Sequence, residues 1–408
     1  MKKSTYLTAK EATAILGVSA ATLYAYVSRG LIRSEAIDGS SRTRRYNAED
    51  VRNLKARKTQ RKNPAEAARL ALHWGTPVLE SALTLITDGG LYYRGYDALE
   101  LAVTHTLEQV AALFWLGDMH AAERLFLVVP PVDHYLEAIQ RLGSDLTLVQ
   151  KLHIALVLAS TDDLMAYDLS QEQVAHTGAR ILRLMTAVLD NDVSFSSGIA
   201  QLLSVGWHEA DLNASHLLNA ALILYADHEL NASSFTARVA ASTEATPYSV
   251  VTAGLSALQG RKHGGNTALV EVMFSEIGQP EHVHSVITNR LRRGERIPGF
   301  GHKLYPDGDP RAKCLLKLIE QAYPDAPTVQ LATAIITDMA EMIDYAPNID
   351  FASVTLTRVL GLPDGMALAL FALGRTVGWI GHAIEQYDQA ELIRPRATYV
   401  GVPPRKGR

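Results

Sequence analysis

The 408-residue sequence holds one cysteine, Cys314. A single thiol excludes an internal disulfide framework and makes a reducing cytoplasm the expected setting. The chain also lacks an uninterrupted apolar run of the roughly 18 residues that a membrane span needs, so no membrane partner is expected. An N-terminal Met-Lys-Lys precedes an apolar stretch, but Lys10 and Glu11 interrupt it and basic residues rather than a cleavage site follow, which argues against a secretory leader. There is no low-complexity tract. No Gly-x-Gly-x-x-Gly follows a strand pattern and no phosphate-binding loop motif occurs, so neither a dinucleotide fold nor a nucleotide-triphosphatase is supported. Strand signals are scarce, and the clearest, "GLYYRGYD" at 90–97, is short.

What is present is a soluble-type composition, about half apolar and a fifth charged. A chain this long exceeds one ordinary core, which predicts two or three domains. The net charge of −4 is unevenly spread. Residues 1–63 carry +9 and the remainder carries −13. A basic module joined to an acidic body points to a polyanion partner for the small module alone.

That module, "YLTAKEATAILGVSAATLYAYVSRGLI", reads as two short helices. Thr8 and Glu11 have capping-box spacing, with Ala12, Ile15 and Leu16 on the apolar face. Ser19 can cap the second helix, where Leu23, Tyr26 and Val27 recur at helical spacing, and Gly30 can end it. "DGSSRTRRY" supplies a turn and a basic strand before a helix opening at "NAEDVRNLKARK". In these residues the segment resembles the winged helix-turn-helix of MerR-like and excisionase-like proteins, over residues 1–58. The resemblance implies a second helix in the DNA major groove and Arg42, Arg44 and Arg45 on phosphates. DNA is therefore a possible partner. "KARKTQRKNP" begins a charged linker, placed at 59–74, with a breaker at Pro64.

From about residue 65 the pattern is overwhelmingly helical. Four stretches set polar groups in apolar surroundings: "LYADHELNASSFTARVAAS" with His228, "LQGRKHGGNTAL" with His263, "IPGFGHKLYPDGDPRAK" with His302 and Arg311, and "YAPNIDFASVTL" with Asp350. Each residue alone is more often structural, as a satisfied histidine or a helix cap. His282 and His284 form a His-x-His pair with no third ligand nearby and read as surface residues, so no metal site is expected.

Taken together and in order, these stretches, with "DGGLYYRGYDALELA", "LGRTVGWIGHAIEQ" and "IRPRATYVG", resemble the citrate synthase family, including its 2-methylcitrate synthases, over about residues 75–402. The resemblance implies a mainly α fold: a two-domain all-α body behind the small helix-turn-helix domain. The large helical domain would take 75–262 and 361–408, and a small acyl-CoA-binding domain 263–360. It also implies condensation of acetyl-CoA with oxaloacetate, with no permanently bound cofactor. Propionyl-CoA is the alternative donor, and a DNA-binding, metabolite-sensing regulator with a synthase-like body is the alternative class. Abstraction of a proton beside a thioester needs a base, for which Asp350 stands. His263, as a neutral imidazole near a helix N-terminus, would donate to the thioester oxygen, and His302 would polarise the ketone. By motif, His228, Arg311 and Arg375 contact the oxo acid, whose two carboxylates suit the guanidinium fork. Arg394 resembles the arginine that reaches a partner subunit's site, implying a homodimer or larger homo-oligomer. Arg261, Lys262 and Lys303 are candidate CoA contacts. The sequence departs from common family forms in "GRKHGGNT", "GHKLYP" and "FASV"; Pro306 replaces a basic residue near the expected CoA phosphates.

Overall fold

The computed structural model describes residues 6–37, 40–48, 50–52, 54–55, 79–87, 89–127, 132–143, 145–190, 198–205, 211–343 and 345–402, the side chains of 37 and 40–43 excepted. The linker expected at 59–74 and the side chain of Arg42 lie outside these residues. The chain divides into two compact units, Met1–Glu80 and Ser81–Arg408.

In the first unit the helix Ala9–Leu16 starts at a complete Thr8–Glu11 capping box and ends on Gly17 in the left-handed region. Ser19 accepts the Thr22 N–H and opens the helix Ala20–Ser28. That helix is capped at its end by Arg29, with left-handed Gly30 just beyond. The strands Ser34–Ile37 and Ser40–Asn47 make an antiparallel pair, the expected wing. A two-residue strand, Tyr6–Leu7, adds to its other edge, which the sequence pattern did not announce. Ala12, Leu16, Leu23, Ile32, Tyr46 and Val51 form the core.

The second unit is helical apart from a small meander, Thr84–Thr87, Gly90–Tyr93 and Tyr96–Asp97. Its axis is the helix Met366–Gln389, which is buried along almost its whole length. By length and composition this helix could cross a membrane, but it is packed inside the body. Around it lie the helices Leu107–Leu116, Gln171–Asp190, Leu212–Tyr225, Ala232–Ala241 and Pro247–Leu258. They share one large apolar core that includes Trp115, Leu222, Leu255 and Trp379.

A second apolar cluster gathers Val270, Phe274, Ile287, Ile335, Met339, Phe351 and Val354 from the helices Asn266–Ile277, Val283–Arg292, Pro327–Ile343 and Ile349–Val359. The helix Ile349–Val359 serves both clusters. Ile349, Ala352 and Leu356 pack into the first, and Phe351 and Val354 into the second. Asp350 is therefore presented at the seam between two cores.

Candidate active site

The histidine of "GFGH" sits in a bend that two glycines make possible. Gly299 and Gly301 have φ of +82° and +76°, a region costly for other residues. The bend is laced to the loop before Asp350. Asn348 donates its backbone N–H to Gly299 O at 2.8 Å and its side-chain amide to Gly301 O at 3.2 Å, and Gly301 N–H reaches Ala346 O at 2.9 Å. Asn348 also caps the helix Ile349–Val359, accepting the Asp350 N–H at 3.0 Å. One asparagine thus ties the His302 bend to the first turn that carries Asp350.

His302 Nδ1 accepts the Leu304 N–H at 3.2 Å, so in the neutral ring the proton resides on Nε2 and is available to donate. Burial, with Arg311 nearby, lowers its pKa to about 4. His302 stands edge-on to His228, centroids 5.2 Å apart, and Tyr305 completes the group. The Tyr305 hydroxyl lies 3.0 Å from His228 Nε2. Burial pushes that phenol up to about 12, so it stays protonated. Burial, then Arg311 and His302, push His228 well below its ordinary range.

His263 lies in the turn two residues before Gly265, the cap of the helix Asn266–Ile277. Burial and Arg375 lower its pKa to about 4. The Ser233 hydroxyl has two acceptors in reach, His263 Nε2 at 2.9 Å and Asn231 Oδ1 at 2.8 Å, and it accepts the Trp379 indole N–H at 3.3 Å. Asn266, in the first turn after His263, donates its side-chain amide to Asp350 Oδ2 at 2.7 Å. Burial raises the Asp350 pKa to about 6, against the pull of Asn266 and Arg311. Three imidazoles are held neutral and one carboxyl is poised near neutrality, a pattern typical of acid–base sites.

Arg311 and Arg375 are both buried. Asp309 grips Arg311 by a bidentate pair, Nε to Oδ1 at 3.0 Å and Nη2 to Oδ2 at 2.8 Å. Burial alone would weaken the Arg311 charge, but Asp309 outweighs it and holds the guanidinium above its ordinary range. Asp309 Oδ2 also accepts the Ile349 N–H at 3.1 Å. Arg375 donates Nε–H to Tyr225 O at 2.6 Å and lies over the Phe371 ring. Burial lowers it to about 10, which leaves it cationic at neutral pH.

The structure therefore brings His228, His263, His302, Asp350, Arg311 and Arg375 into one neighbourhood through direct contacts or mutual electrostatic influence. It leaves Arg394 apart, exposed in the irregular stretch after Gln389. Arg261, Lys262 and Lys303 are exposed. His284 is exposed and pairs with Asp338 at 2.9 Å, as a surface residue should. It lines an open cavity of about 580 Å³ with Glu320 and Glu341, and this cavity shares no lining residue with the site above. Among the described residues no group of three metal-ligating side chains occurs.

Sequence reasoning passed over Ser233, Asn266, Tyr305 and Asp309. Asp309 carried a signal, an Asp followed by Pro at the first helical position, which marks a helix start. The others become visible only when distant segments meet.

In the first unit Arg44 is exposed. Arg45 is engaged, bonded to Glu35 at 3.0 Å and resting over the Tyr6 ring at 4.5 Å.

Residues 6–59 match the helix-turn-helix domain family model, and residues 71–396 match the model described as citrate synthase, C-terminal domain. Citrate synthase 2 of Bacillus subtilis is 32% identical over 80% of this chain and 94% of its own length. A 2-methylcitrate synthase of Shewanella oneidensis is 29% identical over 80% and 93%. Citrate synthase of Thermoplasma acidophilum, solved in ternary complex with carboxymethyl coenzyme A and oxaloacetate, superposes with a TM-score of 0.73 at 28% identity, covering 81% of this chain and 96% of that one. With a family match over most of its length on a matching fold, this chain belongs to the citrate synthase family, the acyltransferases that condense an acyl-CoA, and carries an N-terminal helix-turn-helix domain.

Proposed function

We propose that the body condenses acetyl-CoA with oxaloacetate and hydrolyses the resulting thioester to citrate and CoA. The observation that carries this reading is the pairing of neutral histidine donors with a carboxyl whose pKa is about 6, beside two buried arginines. Asp350 as carboxylate takes the proton from the carbon beside the thioester. His263 donates to the developing enol oxygen. Asn231 Oδ1 already accepts the backbone N–H groups of Ser233 and Ser234. The Ser233 hydroxyl reaches both Asn231 Oδ1 and His263 Nε2, and in this reading its proton turns to His263 Nε2 during the reaction, so that the His263 proton stands on Nδ1 as the catalytic donor. The carbon nucleophile attacks the ketone, whose oxygen is polarised and protonated from His302 Nε2. Arg311, Arg375 and His228 hold the oxo acid, and Asp309 keeps the buried Arg311 cationic for that task.

Residues 263–360 form the acyl-CoA-binding part in this reading, with exposed Arg261, Lys262 and Lys303 meeting the CoA phosphates. The exposed Arg394 reaches the site of a second copy in a homodimer. The setting is cytoplasmic. A second donor, propionyl-CoA giving 2-methylcitrate, is favoured by the relatives of that name.

Oxaloacetate-dependent CoA release, compared across acetyl-, propionyl- and butyryl-CoA, tests the reading. The expected result is release with acetyl-CoA at the highest kcat/KM. A higher kcat/KM for propionyl-CoA establishes the 2-methylcitrate alternative. Release with no donor rejects the synthase reading and leaves a DNA-binding metabolite sensor.

A further inference from the structure

The helix Met366–Gln389 presents Arg375, Gly378, Trp379 and His382 at positions i, i+3, i+4 and i+7, one stripe of its surface. Every member of this stripe touches the same segment, Tyr225–Ser233. Arg375 donates to Tyr225 O at 2.6 Å, and the Gly378 N–H reaches Ala226 O at 3.0 Å. A side chain at 378 would place Cβ 2.4 Å from Ala226 O and 2.7 Å from Asp227 Oδ1, so the approach requires glycine. Trp379 donates to Ser233 Oγ, the neighbour of His263. His382 closes the stripe, its Nε2 3.3 Å from Asp227 Oδ1 with both side chains wholly buried, an approach within ion-pair distance in which the ring nitrogens make no aligned hydrogen bond.

Asp227 directly precedes His228. Its carboxylate also receives the Thr84 hydroxyl at 2.7 Å and the Ser234 hydroxyl at 3.2 Å, and its backbone carbonyl receives the Tyr93 hydroxyl at 3.1 Å. The other charged neighbour of His382 is Glu385, Oε2 at 3.8 Å from Nδ1, itself paired with Arg238. Among the described residues, the hydrogen-bond donors to this carboxylate are the Thr84 and Ser234 hydroxyls, and His382 is the ring that faces it from the core helix. Removing a partner from a buried charge leaves it uncompensated, which favours its shift toward other partners or solvent together with the backbone that carries it. Here that backbone continues into His228.

We propose that His382 and Asp227 are a positioning pair: the imidazole holds the Asp227 carboxylate against the core helix and so fixes His228 for the oxo acid. His382 touches no substrate in this arrangement and acts through the backbone of residues 227 and 228. The inference rests on the proposed oxaloacetate site and predicts a selective loss. His228 belongs to the oxo-acid half, so the defect should appear in oxaloacetate affinity and spare the acyl-CoA half.

The experiment compares His382→Leu, which fills space without a polar group, with His382→Gln, which keeps a polar N–H group facing Asp227 on a side chain of similar reach. Oxaloacetate binding by calorimetry and KM for each substrate are measured on the full-length chain. The expected result is oxaloacetate Kd and KM raised about tenfold in H382L, acetyl-CoA KM within twofold of the parent, and H382Q recovering most of the loss. Should H382L fail to fold, Thr84→Val removes the second donor from Asp227 and should raise oxaloacetate Kd about threefold; an unchanged Kd there overturns the pair. Equal Kd in the parent and a folded H382L overturns the inference alone. Equal losses in both substrates, with no rescue by glutamine, reduce His382 to a packing residue and also overturn it. A parent that binds no oxaloacetate overturns the underlying site, and the inference with it.

Discussion

Asn266 donates its side-chain amide to Asp350 Oδ2 across 2.7 Å, joining the turn that carries one candidate catalytic histidine to the candidate base. This bond favours the charged carboxylate, and burial opposes it. The result is a carboxyl near pH 6, still mostly ionised at neutrality and basic enough to accept a carbon-bound proton.

The pH profile follows. kcat/KM should fall tenfold per unit below about pH 6, as Asp350 takes up its proton. Asn266→Ala removes the bond that favours the carboxylate, so the inflection should move to higher pH with the plateau lowered. An inflection that stays put in the variant would show another group controls the acid limb.

Asp350→Ala should lower CoA release by at least about a thousandfold, within the range for losing a positioned acid–base group. Its stability should change in the opposite sense. A folded-state pKa raised to about 6 means that the neutral carboxyl stabilises the fold at low pH and that this contribution is lost as pH rises through 6. The alanine variant should therefore unfold at an equal or higher Tm than the parent above pH 7, and lose that advantage below pH 4. Thermal unfolding at pH 4 to 8 checks both limbs.

The histidines set a second acid boundary. His228, His263 and His302 are all held below their ordinary range by burial, so the fold favours their neutral forms. Stability they contribute is present above pH 6.5 and is lost as pH falls toward 4. Tm should decline through that window, and His302→Asn should flatten the decline while sharply reducing activity. A parallel slope in parent and variant would remove His302 as a source.

DNA binding by the first unit, if it follows the winged helix-turn-helix pattern, should weaken steeply with salt. Arg44→Glu should cost about tenfold in affinity at 0.1 M salt. Arg45→Glu should cost less, because Arg45 already spends its charge on Glu35 and Tyr6. Fluorescence anisotropy on mixed-sequence duplexes measures both, and affinity indifferent to salt and to Arg44 would reject DNA as the partner.

Much of this was legible in one dimension. The capping box at Thr8 and Glu11 and the cap at Ser19 were readable because caps are local, fixed by residues three apart. His228, His263, His302, Asp350, Arg311 and Arg375, which the ordered family motifs single out, lie in one neighbourhood of the fold. The partners that tune them were not legible in the sequence. Asn266 and Asp350 are 84 positions apart, His228 and Tyr305 are 77, and His382 and Asp227 meet only because the connection after Tyr225 packs on the core helix. Nothing in local sequence encodes such distances. The strand Tyr6–Leu7 was missed for a similar reason, since two residues define no period and its partner lies forty positions away.

Asp309 illustrates how tightly such a site can constrain a single position. Its Oδ1 receives the Arg311 N–H at 3.1 Å and Nε–H at 3.0 Å, and its Oδ2 receives Arg311 Nη2–H at 2.8 Å and the Ile349 N–H at 3.1 Å. All four lone-pair directions are spoken for, and every partner is a donor. An asparagine would turn one end into an NH₂ facing N–H groups, and a glutamate would reach one carbon too far. A chain that keeps both the clamp on Arg311 and the start of the helix Ile349–Val359 therefore has almost no alternative to aspartate at 309.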